Sequence, residues 1–207
     1  MATFPTSINA LTQVLEKRHL TAAEGLMLGI SVVSPQDASS DLGFTPGGQI
    51  KHMERLPYYD LDGSPLKDPK LNIPFVRYRV DRPTGWTPPI DKDGNPIKMA
   101  KYMSPRGSST FVYLPRVEGI NWELVASDPT VDIMITEGEF KAVAVCKLGI
   151  PCIGLGGVGM FGGSGEPFPP PMDRFSLLGH KIDIVFDADK ESDYENPLKK
   201  PVASQAT

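Results

Sequence analysis

The clearest hydrophobic pattern in the chain is a pair of short β-branched runs that each end in acidic residues. Residues 131–136 lead into an acidic Glu-Gly-Glu triplet, and residues 182–186 lead into an acidic Asp-Ala-Asp triplet. Between them, residues 140–148 have helical character and residues 151–155 form a third apolar run. The order strand, helix, strand, connection, strand predicts an α/β fold with a parallel sheet flanked by helices.

Upstream of this unit, the apolar positions first follow a helical period. Ile8, Leu11, Val14 and Leu15 fall on one helical face, and a capping box from Thr21 to Glu24 predicts a second helix start. These features predict a small helical hairpin. Residues 34–48 are rich in Ser, Asp, Gly and Pro, so we interpret them as a loop or linker.

The middle of the chain has the pattern of a β-rich region. Short apolar runs at 55–59, 75–80 and 110–114 predict strands. Asp-Gly sequences within 60–63 and 91–94 resemble the start of a calcium loop but lack glycine at the sixth position, so they predict hairpin turns. We therefore divide the chain into a helical region with its linker (1–48), a β-rich region (49–128) and an α/β domain (129–207).

The acidic residues that follow the two strands predict a metal site. Glu137 ends one predicted strand, while Asp187 and Asp189 follow another and point the same way if the chain is extended. Working sites in parallel sheets lie beyond the carboxyl ends of the strands, so the three carboxylates should converge there. Mg²⁺, or Mn²⁺, is the expected ion, because carboxylate oxygens suit it and paired ions assist phosphoryl transfer. The alternative is that these acids are only caps and turn formers.

Net charge argues against a nucleic-acid-coating protein, but one local segment is basic. The chain of 207 residues has a formal charge of −4, whereas residues 76–106 carry seven cations against three acids, interleaved with aromatic residues. This mixture is typical of single-stranded nucleic-acid binding, although a solvated β face has the same composition. The residues that we assign to nucleic-acid binding are Arg77, Arg79, Lys101, Tyr102, Arg106 and Lys141.

Two further observations bear on where the protein works. Cys146 and Cys152 lie in a predicted helix and strand, where they read as small buried thiols. No apolar run approaches the roughly 18 residues that a membrane span needs, and the N-terminus lacks a signal pattern. We expect no membrane partner and a cytoplasmic location.

At this point the acidic motifs resemble a known family. The sequences ITEGE at 135–139 and VFDAD at 185–189 resemble a Toprim domain, and residues 137–158 are similar to the Toprim-like domain of plasmid and phage primases. Segments 15–26 and 101–115 extend the resemblance over most of the chain. It implies that Glu137 is an acid/base group or metal ligand, and that Asp187 and Asp189 are metal ligands. It also implies primer synthesis in a phage or plasmid replication system, with single-stranded DNA or RNA, nucleotides and a replicative helicase as partners.

The chain also departs from the family pattern. Ser192 stands where the acidic motif usually has glycine, and the two cysteines are too few to form a four-ligand zinc ribbon. Only 18 residues follow Asp189, so we expect the Toprim unit to be truncated at its C-terminal end. Two rival functions remain: a Toprim nuclease of the OLD or ribonuclease type, and a non-catalytic module that binds nucleic acid or a partner.

Overall fold

The fold was analysed in a computed structural model, which describes residues 4–97, 99–157, 168–175 and 179–187. The chain forms two compact units. The first comprises Met1–Tyr58 and Leu66–Ser108, and the second comprises Tyr59–Pro65 and Ser109–Thr207. The first unit combines residues of the predicted regions 1–48 and 49–128, and the region boundaries at 48 and 128 stay predictions.

The first unit contains three helices and an antiparallel sheet. The helices are α1 (Phe4–Lys17), α2 (Ala22–Met27) and α3 (Pro35–Leu42). The strands are β1 (Ser31–Val33), β2 (His52–Pro57), β3 (Val76–Asp81) and β4 (Tyr102–Met103), and they lie in the order β1-β2-β3-β4. The helical hairpin predicted from the sequence is present, including the capping box at Thr21.

The loop predicted at 34–48 is wrong over its first half, where α3 forms. The Ser34 hydroxyl accepts a hydrogen bond from the amide of Asp37, and the Asp37 carboxylate accepts one from the amide of Ser34. Pro35 occupies the first helical turn. Gly43 ends the helix with a φ of +71°. Ser, Asp, Pro and Gly therefore mark helix boundaries here, although their composition alone predicts a linker.

The antiparallel sheet has one mainly apolar face and one mainly charged face, because side chains alternate along each strand. On the apolar face, Met53, Val76 and Tyr78 pack with Ala38 and Leu42 of α3. The opposite face carries Glu54 directly across from Arg79, and His52 directly across from Asp81. The alternation of apolar and basic residues in β3 thus separates the core from a layer of charged side chains.

The second unit contains a parallel sheet flanked by helices, which confirms the predicted fold class. Its strands are β5 (Ile133–Glu137), β6 (Cys152–Leu155) and β7 (Ile182–Val185), in the order β6-β5-β7. Both strand pairs are parallel. Helix α4 (Trp122–Ser127) precedes β5, helix α5 (Glu139–Cys146) connects β5 to β6, and a short 3-10 helix (Met172–Arg174) lies before β7.

Two further predictions for the β-rich region had different outcomes. The strand at 110–114 is not formed, and this buried segment instead makes a single bridge in which Tyr113 and Gly154 exchange backbone hydrogen bonds. The two Asp-Gly sequences do form tight turns, closed by bridges from Tyr59 to Pro65 and from Ile90 to Pro96. In the described ranges, no helix combines the length and apolar character that crossing a membrane requires.

Candidate functional site

The first element of the candidate site is the turn from β5 into α5. Glu137 is the last residue of β5 and is half-buried. Gly138 follows with φ +91° and ψ 143°, a conformation that side chains disfavour, and its amide donates to the carbonyl of Leu155 at 2.6 Å. This glycine reverses the chain abruptly, so that Glu137 stays at the end of the strand.

The helix that starts after this turn brings a buried acid close behind the edge. Glu139 is the first residue of α5 and is 1% exposed. An acid suits this end of a helix, where the backbone dipole is positive. Burial, with the nearby charge of Glu139, raises the pKa of Tyr113 above its usual range.

Strand register brings Glu137 and Asp187 to the same edge of the sheet. β5 and β7 pair in parallel, with Thr136 opposite Val185. Continuing that register places Glu137 opposite Phe186, and Asp187 is the next residue along the chain. The two carboxylates therefore leave neighbouring strands at their carboxyl ends, as the sequence pattern predicts for a parallel sheet.

An ion pair that the sequence did not reveal lies at this edge. The ammonium of Lys141, in the first turn of α5, lies 2.5 Å from Asp187 Oδ2. The two side chains are 46% and 67% exposed, respectively. Lys141 was assigned to nucleic-acid binding from the sequence, and the structure gives it a carboxylate partner 46 positions away in the chain.

The donor set at this edge fits a hard divalent cation that keeps most of its water. Within the described ranges, no group of three or more acidic, His or Cys side chains is gathered closely enough to hold a metal ion. The third predicted ligand, Asp189, lies outside the described residues. Glu137 and Asp187 supply carboxylate oxygens accessible to solvent, and Mg²⁺ commonly uses one or two such ligands. The metal assignment therefore remains a prediction for these residues.

The basic residues of β3 take part in the charged face of the sheet. Arg79 Nη1 lies 2.7 Å from Glu54 Oε1, and Arg18 Nη2 lies 3.3 Å from the other oxygen of Glu54. Glu54 is only 1% exposed, so this is a buried arrangement of one acid between two guanidinium groups. Arg77 is 6% exposed, with Cζ 4.9 Å from the ring centre of Tyr102. Both arginines therefore have structural contacts within the first unit.

The other predicted nucleic-acid residues are more accessible. Lys101 is exposed and Tyr102 is half-buried, with the Lys101 ammonium 5.9 Å from the Tyr102 ring centre. Arg106 is also exposed, and its guanidinium lies 5.6 Å from the ring centre of Phe44. The structure thus places Arg77 and Lys101 near the Tyr102 ring, whereas Arg106 lies near the ring of Phe44.

The same unit contains a largely apolar cleft, with two cations in its lining, that the site assignment from sequence missed. The guanidinium of Arg82 stacks 4.2 Å from the ring centre of Trp86. Both residues line a cleft of about 360 Å³, which also includes Lys101. The sequence contained a signal for this arrangement, since Arg82 and Trp86 flank the Pro83–Gly85 turn inside the basic segment. We add Arg82 and Trp86 to the candidate nucleic-acid residues.

Comparisons with known proteins give one family model and distant structural similarity. A model described as "Domain of unknown function (DUF3854)" matches residues 121–206. No curated protein matches the sequence. The chain is similar to "Structure of the DnaG primase catalytic domain bound to ssDNA", with 15% identity and a TM-score of 0.44 over 92% of this chain and 58% of that one. It is also similar to "Structure of the DnaG catalytic core", with 16% identity and a TM-score of 0.42 over 86% and 55%. The chain thus spans less than two thirds of either structure.

Proposed function

We propose that the protein carries out Mg²⁺-dependent phosphoryl transfer on nucleic acid, in the form of primer synthesis within a phage or plasmid replication system. The observation that carries the proposal is the shared edge of Glu137 and Asp187, at the carboxyl ends of two neighbouring parallel strands. Carboxylates in this position are suited to binding a divalent cation beside a substrate phosphate.

The acidic residues at this edge would have two roles in the reaction, binding the cation and positioning the attacking group. Glu137 and Asp187 would hold the cation, together with Asp189. When bound, the cation neutralises the charge that develops on the phosphoryl oxygens during transfer. In this proposal the carboxylate of Glu137 would also orient the attacking hydroxyl or accept its proton.

The first unit would contact the single-stranded template. Arg82, Trp86 and Lys101 line one cleft, and Tyr102 and Arg106 lie within the same unit. Aromatic rings stack with bases of any sequence, while the cations attract phosphates, and stacking is worth about 1–3 kcal/mol per base. We expect Trp86→Ala to weaken oligonucleotide binding by about tenfold or more, whereas Lys70→Ala, an exposed lysine outside the cleft, leaves it unchanged.

One observation favours a second function, a non-catalytic nucleic-acid-binding module. Lys141 already neutralises part of the charge of Asp187, so the repulsion between carboxylates at this edge is reduced without a metal ion. A nuclease would use the same carboxylates as an enzyme that synthesises primers. Nothing specific in the described residues favours hydrolysis of a strand over its extension.

A single reaction distinguishes these functions. Purified protein is incubated with single-stranded template, nucleotides and Mg²⁺, and the products are scored for both extension and cleavage. We expect extension, and a loss of about 100-fold or more in Asp187→Asn, the scale found when a single charge-stabilising group is removed. Asp183→Asn is the matched control, because Asp183 is an exposed acid on β7, the strand that Asp187 follows. Cleavage would indicate a nuclease, and binding without either product would indicate the module.

A further inference from the structure

We propose that Lys141 is a built-in counter-ion of Asp187, which competes with a divalent cation for this carboxylate and thereby weakens metal binding at the edge. The inference rests on the proposed function, because it concerns the same acidic edge. It assigns to Lys141 a role in setting metal affinity, beyond the nucleic-acid contact expected from the sequence.

The position of Lys141 in its helix is the first support. α5 begins at Glu139, so Lys141 lies in the first helical turn, where the positive end of the backbone dipole disfavours a cation. An anion beside the ammonium compensates for that unfavourable placement. Asp187 provides it, with its Oδ2 2.5 Å from the lysine Nζ.

The exposure of the Lys141–Asp187 pair leaves Asp187 accessible to a divalent cation. Both side chains retain about half or more of their solvent exposure, at 46% and 67%. Ion pairs this exposed are held weakly, because water and salt screen them. A divalent cation can therefore displace the ammonium, but it must do so against a positive charge that already contacts its ligand.

A second ion pair, at the opposite end of β7, offers a matched control. Lys181 lies just before β7, with its Nζ 2.8 Å from Asp183 Oδ2 and 3.5 Å from Asp132 Oδ2. This lysine is also exposed, but it lies near the amino end of β7, away from the edge that bears Asp187. Removing either lysine changes the net charge of the protein by the same amount.

Mn²⁺ binding, followed by the loss of the free-ion electron paramagnetic resonance signal, tests the proposal without reference to activity. We compare wild type with Lys141→Gln, Lys141→Ala, Lys141→Arg and Lys181→Gln at 0.15 M salt. Removing a unit charge a few ångströms from a divalent ion should lower the Mn²⁺ Kd by roughly fivefold in the Gln and Ala variants. Lys141→Arg keeps the charge and should match wild type. Lys181→Gln should also match wild type, because the charge that it removes is screened.

The outcomes separate this inference from the proposed function. If Asp187→Asn loses Mn²⁺ while Lys141→Gln and Lys141→Ala bind it as wild type does, the role of Lys141 is overturned and the metal site stands. If the Lys181 variant gains as much affinity as the Lys141 variants, the effect is general charge and the inference is again overturned. If no variant binds Mn²⁺, this inference and the metal-dependent part of the proposed function both fail.

Discussion

Glu137 ends β5 and Asp187 follows β7 by two residues, so their carboxylates leave neighbouring parallel strands at one edge of the sheet. This relationship is fixed by backbone register. Hydrogen bonding within the sheet holds the two strand ends, while the side chains remain accessible to solvent. Glu137 and Asp187 therefore both lie at the carboxyl end of this sheet, one on the last residue of β5 and the other just past β7.

The turn at Gly138, which joins β5 to α5, is expected to contribute to the stability of the protein. Its φ of +91° strains any residue with a side chain, although nothing lies within 4 Å of an added Cβ. We expect Gly138→Ala to lower the free energy of unfolding by about 1–3 kcal/mol, from backbone strain alone. Urea unfolding measures this, with Gly157→Ala as the control, because Gly157 has open space and no left-handed φ. Equal midpoints for wild type and Gly138→Ala would show that the turn is not strained.

The buried acid of the first unit should be a major determinant of its stability. Glu54 lies between Arg18 and Arg79, and removing its charge leaves two guanidinium groups without their acid in a largely buried setting. We expect Glu54→Gln to destabilise the protein by about 3 kcal/mol, the scale for breaking a buried ion pair. Glu16→Gln, on the exposed side of α1, should change stability by less than about 0.5 kcal/mol. Similar urea midpoints for the two variants would contradict this account.

A buried histidine should make the stability of this unit depend on pH. Burial lowers the pKa of His52 below 6.5, and this effect outweighs Asp81, whose Oδ2 lies 3.5 Å from His52 Nε2 and raises the pKa. The other charged groups that affect it are Lys51 and Lys17, which lower the pKa, and Glu54, which raises it. The unfolded chain binds a proton near pH 6.5 that the folded chain does not, so stability falls as pH drops through 6.5.

The pH effect is measured by urea unfolding between pH 7.5 and 5.5. We expect wild type to lose more stability over this range than His52→Gln, which lacks the titrating group. His19→Asn is the control, because His19 is exposed and its φ of +54° is one that asparagine tolerates. The idea fails if His52→Gln shows the same pH dependence as wild type.

The features that the sequence predicted correctly are those encoded locally. The three parallel strands are short, mainly apolar runs, and the acidic residues that follow two of them are read directly from chain order, so both features could be derived from a few adjacent residues. The capping box at Thr21 is equally local. The prediction for segment 34–48 was wrong over its first half because Ser, Pro and Gly are favoured at helix ends as well as in loops.

Contacts between distant residues could not be predicted in the same way. Lys141 and Asp187 are 46 positions apart, and Glu54 and Arg79 are 25 positions apart. No periodicity links the members of either pair, so the sequence showed the cations without their partners. Arg79 was therefore assigned to nucleic-acid binding on composition, whereas the fold brings it against a buried acid.

The central claim, that the acids closing two strands bind a common divalent cation, is tested most directly by Mn²⁺ binding to wild type, Glu137→Gln and Asp187→Asn. We expect saturable binding to wild type and a loss of affinity of more than about tenfold in each variant, since even outer-shell partners of metal ligands cost this much when removed. Asp183→Asn should bind as wild type does. Unchanged Mn²⁺ affinity in both Glu137→Gln and Asp187→Asn would contradict the account.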